Sequence, residues 1–185
     1  IVSDADSEII TAAQVRPANE DDSSALVDLL AEHKGNVGAE PQALAGDSGY
    51  ASGGNRAELA QRGIADFLAP PTPKGHKRGM FSATDFEPEF DDDGTPLRVR
   101  CPAGQVAAGG QWQEEKQGWN FYFGKAQCQG CPLRTRCSKS KRGRTLFISQ
   151  HWQLTKSALQ RVNEPEFVGA QTERLGIERL FAHQQ

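Results

Sequence analysis

The sequence predicts an α/β fold interrupted by a small β-rich module, and three observations predict it. Up to Ala69, short apolar or β-branched runs alternate with segments of helical spacing, the pattern of an α/β layer with a mixed sheet. At Pro70 the stretch Pro70-Pro71-Thr72-Pro73-Lys74-Gly75 can continue no ladder. Beyond it lie closely spaced aromatics and four cysteines, after which the chain returns to helical spacing. The expected organisation is therefore 1–69 as the first part of the α/β domain, 70–150 as an insertion, and 151–185 as the helical end of the same domain.

Composition sets the bounds. A chain of 185 residues holds one domain of ordinary size, or one domain interrupted by a module. A hydrophobic fraction of 37% with 19 Gly and 10 Pro argues against a single large core. Lys+Arg 21 against Asp+Glu 24 gives a net charge of −3, which by itself selects no partner. No apolar run is long enough to span a bilayer. The chain starts without Met and carries no signal peptide, so it reads as part of a longer protein. In that context, clustered cysteines suit a metal better than a disulfide set.

The elements follow in order. Ile1-Val2 and Ile9–Arg16, separated by the polar turn Ser3–Glu8, predict a hairpin. Asp21, Asp22 and Ser23 are all candidate caps of the next segment. Leu26, Leu29, Leu30 and His33 recur at helical spacing, so Asp22–Lys34 is expected as an amphipathic helix ended by Gly35–Gly38. Ala43–Ala45 is a brief buried strand, Asn55–Arg62 a short helix closed by Gly63, and Ile64–Ala69 another strand.

The stretch Ala-Leu-Ala-Gly-Asp-Ser-Gly-Tyr, Ala43–Tyr50, joins two of these elements. It would put Asp47 at the carboxyl end of a strand, where open α/β sheets place ligands and catalytic groups. The plainer reading is an Asx turn.

In the insertion, Asp85, Glu87, Glu89, Asp91, Asp92 and Asp93 form an acidic run, read as a solvated spacer because it shows no ligand-like periodicity. Asp93-Gly94 reads as the turn between strands Glu87–Phe90 and Leu97–Val99. Cys128 and Cys131 form a CxxC knuckle; with Cys101 and Cys137 they make four sulfur ligands suited to tetrahedral Zn²⁺. Two disulfides or four reduced thiols are the alternatives. Trp112, Trp119, Phe121, Tyr122 and Phe123 alternate with polar residues as strands do, in a ribbon-like module that appeals to a metal staple. Lys125, Arg134, Arg136, Lys139, Lys141, Arg142 and Arg144 follow with no acidic residue among them. A solvated face and a phosphate-binding face both fit such a run. Leu146–Ser149 reads as a returning strand, and Trp152–Val162 and Glu166–His183 as helices, with Val168, Arg174, Ile177, Glu178 and Phe181 at three- and four-residue spacing. Arg174 and Glu178 share a face one turn apart.

Several of these motifs together resemble the DDE transposases of bacterial insertion sequences. They are Ala-Gly-Asp47-Ser-Gly-Tyr50, the Asn55 at the next helix, and Cys101-Pro-x-Gly followed by Cys128-x-x-Cys131-Pro-Leu-Arg-x-x-Cys137. The helix motif Arg174-x-x-x-Glu178 and the entry Val15-x-Pro17-Ala-Asn19-x-x-Asp22 complete the set. The resemblance implies a ribonuclease H-like domain whose three carboxylates bind two Mg²⁺ or Mn²⁺ ions. Asp47 corresponds to the second carboxylate and Glu178 to the third, with Arg174 against phosphate. In the family's Tyr-x-x-Arg-x-x-x-Glu-x-x-x-x-x-x-Lys signature, Gln171 stands in the Tyr position and Gln185 in the Lys position. The hairpin at the start resembles the second and third strands, so the first strand and its Asp are not matched in this chain; Asp4 and Asp6 fall in a turn.

The implied function is metal-dependent DNA cleavage and strand transfer in transposition by the full-length protein. It would act on transposon ends and target DNA as a homo-oligomer when active, with no membrane, in the cytoplasm at the nucleoid. Structural Zn²⁺ would sit in the insertion. The alternative is a non-catalytic zinc-ribbon nucleic-acid-binding or domesticated transposase-derived module. If Asp47 and Glu178 hold neighbouring ions, their carboxylates approach within about 8 Å.

Overall fold

The computed structural model describes residues 1–73 and 76–182, and the side chains of all of these except Lys77 and residues 176–182. The chain divides into two compact units, one built from Ile1–Pro71 and the segment after Trp152, the other from Thr72–Trp152.

The first unit opens with a short antiparallel hairpin, β1 (Val2–Ser3) and β2 (Ile10–Ala12), with Val2 opposite Ala12. Its turn is closed by Asp4, which accepts from the Ser7 N–H at 2.8 Å and the Ser7 hydroxyl at 2.6 Å. The second strand ends well before Arg16, because Val15 is fully exposed with nothing to pair against. A 3-10 turn, Asp22–Ala25, is capped by Asp21, whose side chain accepts from the Ser23 N–H. It leads into α1 (Leu26–Val37), which Gly38 closes in the left-handed conformation at φ 85°. The expected stripe Leu26, Leu29, Leu30 and His33 is the buried face, and it is shared between two cores. Leu29 packs with Ala12 under the hairpin, while Leu26 and Leu30 pack with Leu59, Ile64 and Leu68. His33 Nδ1 meets Thr11 Oγ1 at 2.8 Å, and Asn36 Nδ2 donates to Thr11 O, so α1 is tied to β2 by polar contacts too.

β3 (Ala43–Gly46), α2 (Gly53–Arg62) and β4 (Ala65–Leu68) form a parallel crossover, with Ala43 opposite Ala65 and Gly46 opposite Leu68. Ser52 caps α2 by accepting from the Asn55 N–H, so the helix opens at Gly53 rather than Asn55. Asn55 itself is buried and donates to both Ser23 O and Tyr50 O at 2.8 Å, fastening the Asp47 loop to the 3-10 turn before α1. Arg56, 1% exposed, reaches Asp66 and Leu68 O, so burial of its charge is offset by an ion pair and a carbonyl. A single mixed sheet is not formed: among the described residues no strand hydrogen-bonds to both pairs, so β1–β2 and β3–β4 remain separate sheets.

The second unit is a two-layer β structure with its own core. β5 (Glu87–Phe90), β6 (Pro96–Arg100) and β7 (Val106–Ala108) form one antiparallel sheet. β8 (Gln111–Gln113), β9 (Gly118–Phe123) and β10 (Arg144–Ser149) form the other, in the order β10-β9-β8. Phe86, Val99 and Ala107 from the first layer meet Phe121, Phe123, Leu146 and Ile148 from the second, with Trp152. Eight buried side chains join the two layers, and Cys101, Cys128 and Cys137 pack against them. The acidic run is more than a spacer. Glu89 pairs with Arg98 at 2.6 Å, and Glu87 approaches Arg100 across β5–β6. Asp91 accepts from the Thr95 N–H inside the hairpin turn.

Between β9 and β10 run α3 (Lys125–Gln129) and α4 (Arg134–Cys137), two short helices that carry Cys128 and Cys137, with Cys131 in the link between them. Gly143, at φ 116°, turns the chain back into β10, and a Cβ there would run into Phe123 O. The first unit is completed by α5 (Trp152–Arg161) and α6 (Pro165–Ala182). Pro165 sits at the first position of α6, where its missing N–H costs nothing. Phe167 of α6 packs edge-on against Phe67 of β4, ring centroids 5.9 Å apart.

Candidate functional site

Gly46 ends β3, and the next residue, Asp47, is exposed at the carboxyl end of the strand. Its Oδ1 accepts from the Gly49 N–H at 2.8 Å, so the Asx turn is formed and the carboxylate still faces outward. Asp22 comes to the same loop. A Cβ on Gly49 would lie 3.0 Å from Asp47 Oδ1 and 3.3 Å from Asp22 Oδ2, so two carboxylates flank this glycine closely. Burial, then the negative charge of Asp22 and Asp47, pushes the Tyr50 hydroxyl above its ordinary pKa. Sequence reading counted Asp22 as a cap, but Asp21 takes that role and leaves Asp22 beside Asp47. Only its place at the end of the Pro17–Asp22 entry pointed to it.

α6 is stitched to this strand end by one residue. Gln171 Nε2 donates to Gly46 O at 3.1 Å and also to Phe67 O, bridging the last residue of β3 and the penultimate residue of β4. Its Oε1 accepts from Arg174 Nε at 3.0 Å. The residue in the Tyr position of the helix motif is thus in direct contact with the carbonyl preceding Asp47 and orients Arg174. Glu178 belongs to α6 by its backbone, but its side chain lies outside the described residues, as does Gln185 altogether. The expected approach of Asp47 to Glu178 therefore falls on undescribed atoms. Asp4 and Asp6 are in the hairpin turn; Asp4's carboxyl is held below its usual pKa by the Ser7 side chain and then the Ser7 backbone.

In the second unit all four cysteines line one cavity of about 20 Å³, room for a single ion or water. Cys101 comes from the turn after β6, Cys128 from α3, Cys131 from the link, and Cys137 from the end of α4. All four are free, half-buried thiols, so the disulfide alternative is not what the structure contains. Burial pushes the Cys137 thiol up; Arg144 opposes that, and the other three cysteines reinforce it. A four-sulfur donor set in a one-ion cavity fits a thiophilic metal. Among the described residues, however, no three His, Cys, Asp or Glu side chains already stand in a ligating arrangement, at the thiols or at Asp47.

The cation run divides in two. Arg134 donates to Cys128 O and Ser140 O, and Arg144 to Cys137 O and Phe81 O; both line the thiol cavity. Lys125, Arg136, Lys139, Lys141 and Arg142 are exposed, with Arg136 lying 4.8 Å over the Phe81 ring.

Residues 100–185 match a family model described as the transposase DDE domain. The matched segment includes the cysteines, the cation run and α6, while Asp47 lies before it. Comparison with curated proteins and with solved structures gives no match. Among the described residues no helix is long and apolar enough to cross a membrane.

Proposed function

From the premise that residues 100–185 are part of a transposase DDE domain, we propose that this chain is the portion of a DDE transposase that supplies two of three catalytic carboxylates and a DNA-gripping insertion. The observation that carries this reading is the Gln171 bridge, which fastens the helix bearing Arg174 and Glu178 to the strand end bearing Asp47. Asp47 and Glu178 offer hard carboxylate oxygens, which suit Mg²⁺ or Mn²⁺, and such ions activate an attacking oxygen and stabilise a leaving one at phosphorus.

The chain's own residues do the rest. Gln171 holds the helix in register, and Arg174 presents a guanidinium to the DNA phosphate. Lys125, Arg136, Lys139, Lys141 and Arg142 track the phosphate backbone. Cys101, Cys128, Cys131 and Cys137 would hold Zn²⁺ as thiolates, and the ion would fix α3 and α4 relative to the sheets. The full-length protein acts on transposon ends and target DNA as a homo-oligomer, and these 185 residues alone do not cleave DNA.

Two measurements test this. Mn²⁺ added to isotope-labelled protein is expected to broaden the amides of both Asp47 and Glu178, with Asp47→Asn abolishing the effect at both. Elemental analysis is expected to find one zinc per chain. Broadening at neither site removes the shared-metal reading. The rival, a non-catalytic nucleic-acid-binding module, predicts DNA retention with no Mn²⁺ response.

A further inference from the structure

Arg144 carries a feature that its contacts leave unexplained. Its two terminal nitrogens donate to Cys137 O and Phe81 O, yet its Nε is buried with no hydrogen-bond partner. A buried, unsatisfied guanidinium N–H is costly, and each such group calls for an acceptor. The side chain lines the cavity shared by the four thiols, and so does Arg134. Four thiolates around a divalent ion leave two negative charges uncompensated, and these two guanidiniums are the cations in that wall.

We infer that Arg134 and Arg144 are the charge partners of a thiolate-bound metal, with Arg144 Nε as hydrogen-bond donor to a ligating sulfur, and that they are not DNA contacts. This rests on the zinc reading above and deepens it. It divides the cation run by role. Residues whose guanidiniums bind the carbonyls of Cys128 and Cys137 shape and neutralise the metal site. The exposed Lys125, Lys139, Lys141 and Arg142 remain for phosphate. Outer-shell donors of this kind orient ligands and tune affinity.

The test uses the 185-residue chain. Zn²⁺ affinity is measured by competition with a chromophoric chelator for wild type, Arg144→Lys, Arg144→Gln, Arg134→Lys and Arg134→Gln. Each Gln variant, which keeps a donor but loses the charge, is expected to bind Zn²⁺ roughly 10- to 100-fold more weakly. Each Lys variant is expected to stay much closer to wild type. The salt dependence of DNA retention is expected to be unchanged in these four and to fall by about one slope unit per cation removed at Lys139, Lys141 or Arg142. In wild type, Zn²⁺ is expected to shift the Arg144 Hε–Nε resonance and slow its exchange with water, a reading that needs no variant to fold. Wild type that takes up no Zn²⁺ overturns the zinc reading itself. Zn²⁺ uptake that leaves the Arg144 resonance in place, or Gln variants that bind as wild type does, overturns this inference alone.

Discussion

At Asp85, three hydrogen bonds override the effect of burial. Ser82 and Asp85 form a capping box over the 3-10 turn Ala83–Asp85, and His76 Nε2 joins it, 2.8 Å from Asp85 Oδ2 and 3.2 Å from Ser82 Oγ. The trio has the composition of a hydrolytic triad but not its wiring, because Nε2 meets both Ser82 Oγ and Asp85 Oδ2, whereas a triad divides the hydroxyl and the carboxylate between the two ring nitrogens. Burial pulls the Asp85 carboxyl upward, but bonds from His76 and from the Ser82 N–H and hydroxyl bring it below its ordinary value. A carboxyl whose folded pKa is depressed stabilises the fold above the unfolded pKa and loses that contribution as pH falls through the folded one. The second unit is therefore expected to weaken as pH drops below about 4, the ordinary aspartate value. Asp85→Asn should flatten that dependence. Trp112, Trp119 and Trp152 are the chain's tryptophans and all lie in Thr72–Trp152, so unfolding followed by their fluorescence reads this unit directly. Identical acid profiles for the variant and wild type would count against the assignment.

At the scale of the element, α6 meets β3 and β4 through Gln171 and Phe167. Gln171 adds a donor at Phe67 O and at Gly46 O, the latter also served by the Ala69 N–H at 2.8 Å. The Phe67–Phe167 ring contact and Arg161 lying 5.5 Å over Phe67 add apolar and cation–π support at the same place. Gln171→Leu keeps the bulk but removes both bonds to the carbonyls and the oxygen that accepts from Arg174 Nε, at a cost of about 1 kcal/mol per bond lost. Hydrogen exchange is expected to quicken along residues 165–174 and in the Asp47 loop, with the second unit unchanged. Protection equal to wild type along α6 would show that the ring contacts suffice.

At the scale of the molecule, the two units carry separate cores. Phe86, Val99, Phe121, Phe123, Leu146 and Ile148 form the buried core of the second unit, and the half-buried Cys101, Cys128 and Cys137 pack against it from outside. A zinc finger without its metal unfolds entirely. Here a chelator is expected to release α3 and α4 and raise thiol reactivity at Cys128, Cys131 and Cys137, while the circular dichroism of the sheets persists. Complete loss of strand signal on chelation would mean that the metal, and not the β core, sustains the unit.

Local chemistry was legible in the sequence wherever a residue's role is set by its neighbours in the chain. The stripe Leu26, Leu29, Leu30 and His33 is buried as its spacing requires, Gly63 closes α2 in the left-handed region, and Asp93-Gly94 makes the β5–β6 turn. The strand end at Asp47 was legible for the same reason: an apolar run, a glycine and an Asx turn are all local. What only the tertiary structure decided is which distant groups meet. Asp22 beside Asp47, Gln171 on Gly46 O and Phe67 O, and Arg144 on Phe81 O each join positions far apart in the chain. A charge run reads the same whether its guanidiniums face water or a carbonyl, because periodicity records which face of an element is apolar and not what packs against it. The β core of the second unit escaped the sequence for that reason as well. Its two layers are built from short strands whose inward residues find one another only after the chain has folded.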